Sequence, residues 1–178
     1  MEKTLLVCFT LCVLPAIVTA VSPRDPLLLK GSVYCDTCRC GFQTDASKHL
    51  VVLKLGALDL CLKHAKCVGS GAVVRIECRS RASSQLTYLK DGVTDSSGNY
   101  NILVESDRGD DYCDAVLVKS LDPECSEANQ GRDRARVILT SNNGMTSNTR
   151  FANPMGFLKN RPLASCSKIL QKYQEAED

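Results

Sequence analysis

The chain has 178 residues, with 22 lysines and arginines against 20 aspartates and glutamates, a formal charge of +2. Such a balance points away from a nucleic-acid or membrane-surface partner, which calls for a pronounced basic excess. Eleven cysteines make the compartment the deciding question, because a dense cysteine set means disulfides outside the cell and metal or redox chemistry inside it.

Met1-Glu-Lys3, an apolar stretch from Thr4 to Val18 and the small-residue ending Val18-Thr-Ala20 have the form of a secretory signal over residues 1–20. The run is short for a bilayer span and gives way to the polar Pro23-Arg-Asp-Pro26, so no membrane insertion is expected once it is removed. Cys8 and Cys12 leave with the signal. Nine cysteines stay in residues 21–178, an odd count that signals an unpaired or intermolecular thiol. This remainder is long enough for one domain with a real core.

Period-2 patterning dominates that domain. Short alternating runs are expected at Ser32 to Tyr34, Gln85 to Leu89, Tyr100 to Val104, Asp114 to Val118 and Ala135 to Thr140. The clearest is Gly71 to Cys78, which sets Ala72, Val74, Ile76 and Cys78 on one face and Val73, Arg75 and Glu77 on the other. Asp95-Ser-Ser-Gly-Asn99 is the best turn, since Gly and Asn tolerate positive φ. The alternating charges of Arg132-Asp-Arg-Ala-Arg136 fit the solvent face of a strand better than a functional basic patch. Only Ser165 to Ala176 reads as helical, with Ser165 as a cap and Cys166, Ile169, Leu170 and Tyr173 on one face. Many short strands with turn signals between them predict a sandwich or barrel.

Catalytic residues are scarce. The two histidines after the signal are His49 and His64, and both lie in or beside an atypical segment described below, so no Ser-His-Asp or Cys-His site is expected on the main body. Asp110-Asp111 sits in a Gly-rich turn and Glu175 to Asp178 in a polar tail, where solvation explains the acids better than acid–base work does. No phosphate cradle or calcium loop occurs, and Asn143-Gly-Met and Asn148-Thr-Arg both fail as glycan acceptors. No enzyme activity, cofactor or metal is expected.

The segment Gly31-Ser-Val-Tyr-Cys-Asp-Thr-Cys-Arg39 resembles the signature of the olive-type pollen allergen family (Ole e I), with Gly31, Val33, Tyr34, Cys35, Asp36, Cys38 and Arg39 at its defining positions. Val73-Val-Arg-Ile-Glu-Cys78, Gly92-Val-Thr-Asp-Ser-Ser-Gly98, Asp114-Ala-Val-Leu-Val-Lys-Ser120, Gly131-Arg-Asp-Arg-Ala-Arg-Val137 and Phe151-Ala-Asn-Pro-Met-Gly-Phe157 extend it. Six cysteines allow about fifteen connectivities. The resemblance implies Cys35 with Cys125, Cys38 with Cys166 and Cys78 with Cys113. It also implies a mainly β fold, a small disulfide-stapled antiparallel barrel or sandwich with a short C-terminal helix. Zinc at Cys35-x-x-Cys38 would need a second ligand pair that the chain does not supply. A redox reading of the same motif wants it between a strand and a helix.

Residues 50–70 interrupt the resemblance with an apolar stretch that adds Cys61 and Cys67, and Cys40 stands where relatives carry a small non-cysteine residue. Lengthening a loop from about ten to about thirty residues costs only about 1 kcal/mol, so the stretch does not forbid folding. Three readings remain open: a retained intron or gene-model error, a variant in which Cys61 or Cys67 pairs with Cys40, and a metal site at Cys61-x-x-His64-x-x-Cys67. The clean resumption of family motifs favours the first.

The function implied is that of a secreted, non-enzymatic interaction protein of pollen or anther, acting in pollen hydration or pollen-tube growth through an extracellular protein such as a receptor kinase, or through a wall polymer. Binding residues on such a scaffold belong on loops, and Asn142 to Ser147 and Glu105 to Asp111 are the first candidates. A protease inhibitor presenting Arg132, Arg134 or Arg150 is the alternative. A structural wall protein is disfavoured by a content of six prolines.

Overall fold

The computed structural model describes residues 26–50 and 71–175. The expected signal, and Cys61, His64 and Cys67, lie outside the described residues. Ten strands and one helix follow in order: β1 Leu27–Asp36, β2 Lys48–His49, β3 Ala72–Ser80, β4 Leu86–Val93, β5 Asn99–Val104, β6 Asp111–Ser120, β7 Glu127–Ala128, β8 Arg134–Val137, β9 Thr149–Phe151, β10 Met155–Leu158 and α1 Cys166–Glu175.

The strands form two sheets rather than a closed barrel, so the sandwich half of the expectation describes the chain. The first sheet is built on β1. Its second half pairs with β2 and β10 in the order β2-β1-β10-β7, and its first half pairs with β5 and β9. The second sheet has the order β4-β3-β6-β8. The expected all-antiparallel pairing needs correcting, because β9 and β10 both run parallel to β1. Parallel pairing demands a long return connection, and here most of the chain lies between β1 and its parallel partners.

Alternation decides which face is buried. On β3, Ala72, Val74, Ile76 and Cys78 are buried while Val73, Arg75 and Glu77 are half-buried. On β5, Tyr100, Ile102 and Val104 are buried and Asn99, Asn101 and Leu103 are exposed. These faces meet Leu27, Leu29 and Val33 of β1, Ala115 and Leu117 of β6, Val137 of β8 and Met155 and Phe157 of β10 in one core. Each buried aliphatic side chain contributes about 1.5–3 kcal/mol. Strand lengths exceed the sequence expectation where pairing continues past the alternating stretch: β1 runs ten residues and β6 ten.

Three disulfides cross-link this frame: Cys35–Cys125, Cys38–Cys166 and Cys78–Cys113. They are the pairs the resemblance implies. The third joins directly opposed residues of β3 and β6. Helix α1 buries only Cys166 fully, so the Cys38 bridge holds it down more than packing does. The Ser165 carbonyl accepts the Ile169 N–H and so opens the helix.

One hydroxyl closes the gap on either side of residues 51–70. Thr94 Oγ1 donates to the Leu50 carbonyl at 2.7 Å and accepts the Ala72 N–H at 3.0 Å. Leu50, Ala72 and Thr94 are all buried. The two points where the chain leaves and re-enters the described frame are thereby held within one side chain of each other, and a connection between adjacent ends tolerates length variation.

Two stability measurements test this account. Thr94→Val keeps the shape but leaves a buried carbonyl and N–H unpaired, and should lower unfolding free energy by about 2 kcal/mol in urea. Removing the Cys78–Cys113 bridge, which spans 35 residues, by a double substitution to alanine should cost about 3 to 4 kcal/mol.

Candidate functional site

The signature residues are committed to scaffold. Asp36 is fully buried, and its carboxylate accepts the Cys38 N–H at 3.1 Å and the Gly41 N–H at 2.8 Å. It thereby closes the turn that carries both disulfide roots. Thr37 Oγ1 donates to the Ala46 carbonyl. Arg39, at φ 55°, forks onto both Glu127 oxygens at 2.7 and 2.8 Å and donates to the Lys159 carbonyl, so it ties the turn to β7 and to the exit of β10. That pairing holds the Glu127 carboxyl below its ordinary value. Cys40 is the free thiol among the described residues. Burial pushes its pKa up, and the nearby Asp36 carboxylate adds to the shift, so less of it is present as reactive thiolate. His49 is exposed on β2.

The two loop candidates meet at the other end of β1, about 30 Å away along a ten-residue strand. Register places them: Val104 at the end of β5 opposes Leu27, and Thr149 at the start of β9 opposes Leu28. Asp107 knits the two connections together. Its carboxylate accepts the Ser141 N–H at 2.9 Å, the Ser141 hydroxyl at 2.8 Å, the Thr140 hydroxyl at 3.0 Å and the Gly109 N–H at 2.9 Å. Partial burial opposes its ionisation, but these donors prevail and hold its pKa at about 2.

Arg150 braces the second connection from below. It is 4% exposed and donates to the carbonyls of Ser147, Thr149 and Thr140 and to Asn143 Oδ1. A buried guanidinium cannot enter a protease, so Arg150 is removed as an inhibitor specificity residue. Arg134 is engaged with Asp114 at 3.0 Å, and Arg132 donates to the Gly41 carbonyl at 2.8 Å. With these braces in place, residues 142–148 are all exposed. The β3–β4 turn joins the same end, where the Arg81 N–H donates to the Asp110 carbonyl.

Sequence reading located both loops but missed their clasp. Asp107-Arg-Gly109 carries the signal of an Asx turn, yet nothing local pairs Asp107 with a serine 34 positions on. Among the described residues no group of three or more His, Cys, Asp and Glu side chains is placed to hold a metal ion. The proposed ligands Cys61, His64 and Cys67 lie outside those residues.

A two-sheet β protein with a cross-linked turn at one end and braced, solvent-facing loops at the other is a loop-presenting scaffold. The chain belongs to the family described as pollen protein Ole e 1 like, whose model matches residues 64–174. It is 37% identical over 165 residues to the Olee1-like protein of Betula pendula, covering 91% of this chain and 87% of that one. To the pollen-specific protein C13 of Zea mays it is 35% identical over 176 residues, covering 98% and 92%. In three dimensions it is similar to the crystal structure of the major plantain pollen allergen Pla l 1, with a TM-score of 0.63 at 25% identity, over 80% of this chain and 100% of that one.

The clasp has a testable pH signature. The folded-state pKa of Asp107 lies below its unfolded value, so its contribution is complete above pH of about 4 and fades as pH falls towards about 2. Allowing for solvent screening of a partly exposed group, it is worth about 1 kcal/mol. Asp107→Asn should therefore be less stable than the parent by that amount at neutral pH, with the gap closing by about pH 2, as read from urea unfolding over a pH series.

Proposed function

We propose that this chain is a secreted, non-enzymatic interaction protein of pollen or anther that serves pollen hydration or pollen-tube growth. It does so by holding an extracellular partner, either a protein such as a receptor kinase ectodomain or a wall polymer. The observation that carries the reading is the division of labour between the two ends. The signature turn is used up in buried and ion-paired contacts, whereas the loops clasped by Asp107 and Arg150 are rigidly held and solvent-facing. Holding a loop in one conformation before binding lowers the entropy cost of association. Three disulfides support delivery to an oxidising compartment, and the names of the relatives support the tissue.

The test is saturable binding of labelled protein to growing pollen tubes. Asn142, Met145 and Thr146 are exposed and lie outside the Asp107 clasp. Replacing all three by alanine should weaken binding about tenfold or more while leaving the urea midpoint unchanged. Undiminished binding by that variant would take the partner surface away from these loops.

A further inference from the structure

The outer face of the second sheet carries a concentration of arginine that the loop reading does not use. Arg75 and Arg79 stand on the solvent side of β3, Arg134 and Arg136 on that of β8, and Arg81 in the turn after β3. Three acids share the face and are already engaged: Asp91 forks with Arg75, Asp114 is held by Arg134 and Arg136, and Glu77 lies 4.0 Å from Arg134. Arg79 and Arg81 make no ion pair among the described residues. The face therefore has guanidinium charge in excess of what it neutralises.

At its loop end this charge is organised around one ring. The guanidinium carbons of Arg81 and Arg136 lie 4.8 and 5.1 Å from the centroid of Tyr112, which is 50% exposed. Stacking on a tyrosine fixes the plane of a guanidinium and leaves its N–H fork pointing outward. Asp114 holds Arg136 from one side at 2.6 Å, while Arg81 has only a 3.5 Å contact from Nε to the Asp111 carbonyl. Beside the ring lies an open cleft of about 170 Å³ with Arg108, Asp111, Val137, Ile138 and Leu139 in its walls, the Asp111 carboxylate being taken up by Arg108 at 3.8 Å and by the Thr87 hydroxyl at 2.8 Å. Ile138 is 62% exposed. The cleft is smaller than the about 300–1,000 Å³ of a pocket that encloses a small molecule.

We infer that the Arg81–Tyr112–Arg136 cluster binds the free carboxylates of an acidic polysaccharide, a polyuronate chain lying across the outer face of the second sheet. This rests on the reading of the chain as an extracellular binding protein and names the class of polymer. A planar carboxylate matches the fork of Arg81, whose charge is unneutralised, and the bidentate pair is the strongest form of that contact. The exposed Ile138 offers an apolar wall for the C–H face of one sugar ring. A shallow cleft suits a single ring of a polymer that continues beyond it on both sides, and Arg79, opposite Tyr112 in the β3–β6 register, flanks the cluster to meet a further carboxylate. An acidic peptide has the charge but would look for a deep anchor pocket, and the open cleft beside Tyr112 is not one. Asp110 is exposed and its backbone carbonyl accepts the Arg81 N–H, so a like charge is carried next to the cluster.

The experiment measures binding of the purified, disulfide-intact chain to polygalacturonate by calorimetry. The probes are the de-esterified polymer, the fully methyl-esterified polymer and polyglutamate. The expected result is salt-sensitive binding to the de-esterified polymer that exceeds binding to the other two. Arg81→Gln and Tyr112→Leu should each weaken it about tenfold. Arg81→Lys should fall between Arg81→Gln and the parent, since it keeps the charge and loses the fork. Asp110→Asn should strengthen binding, and Arg161→Gln, which removes the same charge as Arg81→Gln but near α1, should leave it unaltered.

Equal binding of polyglutamate, equal binding of the esterified polymer, or parental affinity in Arg81→Gln and Tyr112→Leu would each overturn the assignment. So would failure to bind any of the three probes. Binding to pollen tubes is a separate readout: if it persists while polygalacturonate is ignored, only the polyuronate assignment falls.

Discussion

The structure depends on two disulfides rooted in one turn. Cys35 and Cys38 reach forward to Cys125 and Cys166, across separations of 90 and 128 residues. In the chain-entropy model, a closure of that span removes about 4 to 5 kcal/mol of freedom from the unfolded chain. The turn itself must be rigid for both bridges to form at once, and the buried Asp36 carboxylate supplies that rigidity by accepting two backbone N–H groups. With the end of β1 fixed in this way, β10 can lie parallel beside it and α1 can rest on a surface it scarcely buries.

A second constraint explains why glycine and tyrosine recur in the first sheet. Gly31 opposes Tyr100 across β1 and β5, and Gly156 opposes Tyr34 across β1 and β10. In each pair the ring lies over the space that a Cβ would fill; at Gly156 that atom would come within 2.6 Å of the Tyr34 ring. The aromatic ring thus restores the packing that glycine lacks. Tyr100 accepts a cost for this position, because its hydroxyl is buried without a hydrogen-bond partner among the described residues, and burial raises its pKa. Gly31 and Tyr34 are therefore packing devices, which agrees with the absence of any exposed functional group in the signature turn beyond Arg39.

The physical consequence for function is spatial. A scaffold that spends its most specific residues on one end is free to vary the other, and the loop end is held by polar clasps rather than by core burial. Asp107 and Arg150 act there as internal braces. The arginine-rich outer face lies beside these loops.

Local pattern made part of this legible. The alternation of Gly71 to Cys78 announced β3 and its buried face, and the helix after Ser165 followed from its apolar spacing. The strands β2, β7, β9 and β10 escaped notice because two to four residues carry no measurable period. The clasp at Asp107 and the stack on Tyr112 escaped because their members are far apart in the chain.

What the sequence by itself determined was the mainly β class, the half-buried strands and the scaffold cysteines, since period-2 burial and thiol spacing are written in neighbouring residues. Tertiary structure alone decided that the sheets stay open, that β1 takes parallel partners, and that Arg81 and Arg136 converge on one ring. Those outcomes come from pairing between distant segments, whose geometry exists only once the strands have met.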